Sequence, residues 1–88
     1  MTYTDEQLKE AELYAQVLDV QDLADVLQLP RAQVDLALVT EADPLCAAIK
    51  RGRLRAKAEL RLGLLKLAAQ GSNPAQLQVD AFLKQLTS

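Results

Sequence analysis

The sequence predicts an all-α fold, a small five-helix domain covering residues 1–88. Three observations lead there. The apolar half of the composition is Leu, Val, Ile and Ala with one Phe, two Tyr and no Trp, a set that fills seams between helices better than it fills sheets. Helix-start signals recur along the chain, at Thr4, Asp19, Pro30, Asp43–Pro44 and Asn73–Pro74. No segment alternates apolar and polar residues with the period of a half-buried strand.

Taken in order, TDEQ at Thr4–Gln7 has capping-box spacing, a hydroxyl that accepts from a first-turn amide and a Gln that answers it. A first helix is therefore expected from Asp5 to about Leu18, burying Leu8, Ala11, Leu13 or Ala15, and Leu18. Asp5, Glu6 and Glu10 suit the positive end of its dipole. Asp19 caps a second helix, Val20 to Leu27, with Val20, Leu23, Ala24 and Leu27 on one face. Pro30 fits the first turn of a third helix that reaches Thr40 and turns Val34, Leu38 and Ala37 inward. Asp43 and Pro44 open the longest helix, to Gln70, which Gly71 closes by supplying a left-handed residue. The last helix runs from Pro74 to Leu86, with Leu77, Ala81, Phe82 and Leu86 or Leu83 facing inward.

The composition also bounds the chemistry. With no histidine and a single cysteine, the Ser-His-Asp and Cys-His arrangements and thiolate zinc clusters have no residues to build them. A non-enzymatic protein is expected, with no catalytic residues, no metal and no cofactor. Cys46 reads as an ordinary core residue, and a lone cysteine suits a reducing cytoplasm. The opening MTYTDEQ has neither a basic start nor an apolar run, and no stretch reaches the roughly 20 apolar residues of a membrane span. A cytoplasmic protein without membrane contact is the expectation. Its net charge of -2 conceals a division: residues 1–49 carry ten acids against two bases, residues 50–88 eight bases against two acids. Halves so different are expected to meet different things.

Most of the positive charge lies in the long helix, within IKRGRLRAKAELRLGLL at Ile49–Leu65. At about 100° per residue, Lys50, Arg53, Lys57 and Arg61 form one basic stripe. Leu45, Ile49, Gly52, Ala56, Leu60, Gly63 and Leu67 form an apolar stripe beside it, and Leu54, Ala58, Leu62, Leu65 and Ala69 form a second. A short chain covers one such face with its own core, so the other implies a homo-oligomer, with Leu54, Leu60, Leu62, Leu65 and Leu67 at the interface. The basic stripe has two readings. It is a solvated face that balances the acidic half by pairing with Asp19, Asp22 or Asp25, or it contacts the phosphates of double-stranded DNA, multiplied by oligomer symmetry. The absence of interleaved aromatics argues against stacking on single strands. The lack of Trp and Phe on the second face argues against a membrane surface.

Ahead of that helix, DVQDLADVLQLPRAQVDLAL at Asp19–Leu38 sets Leu23 and Ala24 in one short helix, then a brief turn, then Val34 in the next. This resembles the homeodomain-like helix-turn-helix, where a small residue permits close crossing and a later apolar one closes the angle. The unit spans 19–40. Gln28 stands where such turns often use Gly, and Pro30 where Ser or Thr often caps the recognition helix. The likeness implies that Arg31 and Gln33 face the groove, beside Asp35 and Glu41, which oppose it.

The whole order is similar to that of small terminase subunits and related DNA-packaging proteins of tailed bacteriophages. It is carried by DPLCAAIKRGRLRAKAELRLGLLKLAAQGSNPAQLQ at Asp43–Gln78, through Asp43, Pro44, Ala47, Ala48, Arg51, Gly52, Leu65, Ala68 and Gly71. The resemblance implies an oligomer that recognises phage DNA in the host cytoplasm and passes it to a large motor subunit, with 44–86 serving assembly. The alternative is a protein-interaction module or small transcriptional regulator that keeps the helix-turn-helix shape without binding DNA strongly.

Overall fold

The computed structural model describes residues 3–87, among which there are five α-helices and no strand: α1 (Asp5–Tyr14), α2 (Val20–Leu27), α3 (Arg31–Leu38), α4 (Pro44–Ala69) and α5 (Asn73–Thr87). None is long and apolar enough to cross a membrane. The all-α architecture, with a long fourth helix and a short last one, is the one the sequence predicts. Packing gathers the chain into two compact units, Met1–Ala56 and Lys57–Ser88. The sequence alone predicts a single domain over 1–88. The continuous core ends at Ile49, and past Ala56 there are only the second half of α4 and α5 to pack together.

In the first unit the local signals act as their chemistry dictates. Thr4 and Gln7 close the capping box with two 3.0 Å hydrogen bonds. Helix α1 stops at Tyr14, short of the expected Leu18. Asp19 adopts extended backbone to cap α2, accepting from the Asp22 amide at 2.9 Å, and the intervening residues close in a turn with Val17 N–H donating to the Tyr14 carbonyl. Pro30 sits at the N-cap of α3, one position before the expected first turn, with extended backbone and no side-chain bond to offer. Between α2 and α3, Gln28 takes the left-handed conformation at φ 57°. A side chain there costs about 1–2 kcal/mol that glycine avoids.

The core is small and aliphatic. Ala11 and Ala15 of the α1 end, Leu23, Ala24 and Leu27 of α2, Val34 and Ala37 of α3, and Leu45, Ala48 and Ile49 of α4 are buried together. Leu38 is only half-buried and Leu13 is exposed, so Ala15 is the inward member of that pair. Cys46 is buried, a free thiol against the Leu38 carbonyl. Helix α1 passes close to α4 at Gly52. A Cβ at Gly52 would collide with the Glu12 carbonyl oxygen and come within 3.0 Å of the Ala15 Cβ.

In the second unit, Gly71 at φ 95° ends α4. The Gly71 amide donates to the Ala68 carbonyl and the Ser72 amide to that of Leu67, both at 3.1 Å, which is a Schellman closure. Ser72 then caps α5 through the Ala75 amide at 3.4 Å. The inward face of α5 is Ala75, Val79 and Phe82, not the expected Leu77, Ala81 and Leu86. Leu77 and Leu86 are 72% and 67% exposed. Spacings of four and three carry Ala75, Val79 and Phe82 along one side, and Leu77 falls about 160° from Val79 on the helical wheel.

Gly52→Ala is expected to destabilise the protein by about 1–3 kcal/mol despite alanine's better helix propensity, because a backbone carbonyl cannot yield as a side chain would. Thermal unfolding followed by circular dichroism checks it, and an unchanged midpoint refutes the close crossing. Gln28→Gly should raise the midpoint, reflecting a gain of about 0.5–1 kcal/mol in stability, the relief of left-handed strain less the entropy of glycine.

Candidate nucleic-acid interface

The buried positions of α4 in the first unit fix which of its side chains reach solvent. Leu45, Ala48, Ile49 and Gly52 turn in, and Lys50 and Arg53 turn out and are exposed. Neither cation forms an ion pair among the described residues, and the pairing with Asp19, Asp22 or Asp25 is not formed. Two of those acids have other work: Asp19 caps α2, and Asp25 accepts from the Gln21 amide at 3.2 Å. Among the described cations of α4, Arg51 is paired: its Nε donates to Glu12 Oε1 at 2.7 Å beside the Gly52 crossing. Arg51 lies about 100° off the stripe, so this pair leaves Lys50 and Arg53 untouched.

In the second unit Lys57 is exposed and lines an open groove against α5. Arg61 is half-buried: its guanidinium carbon stands 4.8 Å from the Phe82 ring centroid and its Nη2 donates to Gln85 Oε1 at 2.9 Å. A cation over a ring gains about 0.5–1 kcal/mol when partly exposed. Arg61 therefore anchors α5 on α4, a role its spacing gives no sign of, while Lys57 keeps its charge in water. Arg55 is a further exposed cation of α4 that the stripe does not include.

Arg31 and Gln33, expected to face the groove, are also engaged. Arg31 Nε donates to Asp35 Oδ1 at 3.1 Å and its Nη1 to Gln21 Oε1 at 3.1 Å. Both partners of the ion pair are about half exposed, so it is a solvent-screened pair of small energy. Gln33 is half-buried and bonds with the Tyr3 phenol, which donates to Asp43 Oδ2 at 3.2 Å. The outward side of α3 presents Leu36, 58% exposed, and Val39, 79% exposed, next to the Arg31–Asp35 pair. Its one cation is paired with an acid, whereas the outward side of α4 carries Lys50 and Arg53 without ion pairs among the described residues. The leucines expected at an interface, Leu54, Leu60, Leu62, Leu65 and Leu67, are all exposed, from 43% to 65%.

Burial and the neighbouring Asp43 carboxylate raise the Tyr3 phenol above its ordinary value, and the Gln33 hydrogen bond pulls it down without cancelling them. A folded-state value above the unfolded one means stability that is complete below about pH 10 and is lost as pH rises through the folded value. In an ultraviolet titration the difference between wild type and Tyr3→Phe isolates the Tyr3 phenol and should be centred above pH 10; a difference centred at or below pH 10 would contradict the assignment.

Comparison of the chain with protein-family models, with curated proteins and with solved structures finds no match in any of the three.

Proposed function

We propose that this is a non-enzymatic, oligomeric protein that binds double-stranded DNA by its phosphates through Lys50, Arg53 and Lys57 of α4. The observation that carries this reading is that these cations are exposed and free of ion pairs among the described residues, in a chain whose acids outnumber its bases. Exposed, unneutralised cations on successive turns are what counterion release rewards. Arg61 contributes whatever donors Phe82 and Gln85 leave to it. Arg31 and Gln33, tied to Asp35 and Tyr3, are secondary and would be freed only by exchanging partners. The sequence likeness over Asp43–Gln78 supports placing this activity in phage DNA packaging, with a large motor subunit as the next recipient of the DNA. Association through the exposed leucines of α4 would repeat the cationic patch by symmetry.

A second reading is favoured by Leu36 and Val39, which leave an apolar outward face on α3. On this reading the helix-turn-helix shape grips a protein, as a small regulator would, and DNA affinity is weak.

A mobility-shift titration over a series of salt concentrations tests the first reading against the second. DNA affinity should fall steeply with salt, and Lys50→Gln, Arg53→Gln and Lys57→Gln together should flatten the log–log slope by about 0.9 for each contact removed. Binding that ignores salt, or that survives the triple substitution with its slope unchanged, refutes the assignment.

A further inference from the structure

Two glycines of α4 stand in opposite situations. Gly52 is required by the chain itself, since α1 lies where its Cβ would be. Gly63 is not: a Cβ built there meets nothing within 4 Å, and its backbone is ordinary helix. A mid-helix glycine costs about 0.8–1 kcal/mol relative to alanine, and nothing within this chain offsets it. The residues around it supply a reason. Leu60, Gly63, Leu64 and Leu67 stand at i, i+3, i+4 and i+7, the four corners of the hole that receives a side chain from a facing helix. They line an open, mostly apolar groove of about 490 Å³, in which Leu60 is 65% and Leu67 49% exposed.

The charges beside this groove indicate what fills it. Glu59 and Lys66 also line it, and neither forms an ion pair among the described residues. They are one heptad apart, so they share one flank of the helix. When two copies of a helix pack antiparallel about a two-fold axis, like flanks meet and the numbering runs in opposite directions. An axis passing close to Gly63 therefore brings Glu59 of each copy level with Lys66 of the other, twice. The face is its own complement in both shape and charge.

We propose that the Gly63 face of α4 is a self-docking surface, on which a second copy of this chain packs antiparallel about a two-fold axis near Gly63, with Glu59 of each copy meeting Lys66 of the other. The inference rests on the oligomer of the proposed function and specifies its pairing; DNA contact by Lys50, Arg53 and Lys57 stands or falls separately. Glycine at the axis lets the two backbones approach, and Leu60, Leu64 and Leu67 of each copy close over the contact.

Sedimentation equilibrium of the full chain tests it, with wild type, Glu59→Lys, Lys66→Glu, the double exchange of both residues, and Gly63→Leu. The wild type should form dimers or higher even-numbered species. Each single reversal sets like charges together at two places and should weaken dimerisation by about tenfold or more, and the double exchange should restore it. Gly63→Leu should weaken it at least as much and keep full helical circular dichroism, because the isolated chain has room for the side chain. An associating wild type whose variants all behave alike would overturn this surface and leave the oligomer standing. A wild type that stays monomeric at every concentration would overturn both.

Discussion

The first unit depends on one close crossing, α1 over α4 at Gly52. With a Cβ excluded there, the two backbones approach until only small side chains fit between them, and Ala11, Ala15 and Ala48 are the fully buried residues around the contact. Alanines contribute little area each, so the larger Leu23, Leu45 and Val34 supply the bulk of the hydrophobic stabilisation. The crossing also fixes the rotation of α4 about its own axis. With Gly52 against α1, helical geometry carries Lys50 to the far side and sets Arg51 and Arg53 on opposite flanks, each about 100° from the crossing, of which Arg51 is the one that meets Glu12, at 2.7 Å. The placement of Glu12 on one flank of the crossing thus neutralises Arg51 and leaves Lys50 and Arg53 exposed.

The second unit is built differently. Its buried residues are Ala75, Val79 and Phe82, a thin interior for a pair of helices, and short helices rely on tertiary burial more than on propensity. Leucine is plentiful there and mostly in water: Leu60, Leu62, Leu65, Leu67, Leu77, Leu83 and Leu86 are all exposed. Covering a leucine gains about 1.5–3 kcal/mol, so this unit has far more to gain from a neighbour than the first, whose aliphatic core is already enclosed. Arg61 compensates in part by laying its guanidinium over Phe82 and shielding one of the few aromatic rings in the chain.

What was legible in the sequence follows from how far each interaction reaches. The capping box at Thr4, the Asp19 cap, the proline before α3 and Gly71 after α4 are local chemistry, and each marks its boundary to within a few residues. The end of α1 was harder to see, because nothing in Ala15–Leu18 opposes helix; the extended backbone that Asp19 needs as a cap ends it. On α5, ranking by hydrophobicity favours Leu77 and Leu86, whereas the contact with α4 selects the smaller Ala75 and Val79. The basic stripe was legible as a spacing, but the partners of its neighbours were not. Glu12 reaching Arg51, Gln85 and Phe82 holding Arg61, and Tyr3 holding Gln33 are contacts between residues distant in sequence, and helical periodicity has no information about them.

The single thiol, Cys46, is 1% exposed near the start of α4, where it lies against the Leu38 carbonyl. Such a sulfur is out of reach of an alkylating reagent until the surrounding helices part. The chain thus carries its own clock of opening: the speed at which the sulfur is captured counts how often this interior comes apart, with no label added and no other cysteine to confuse the count.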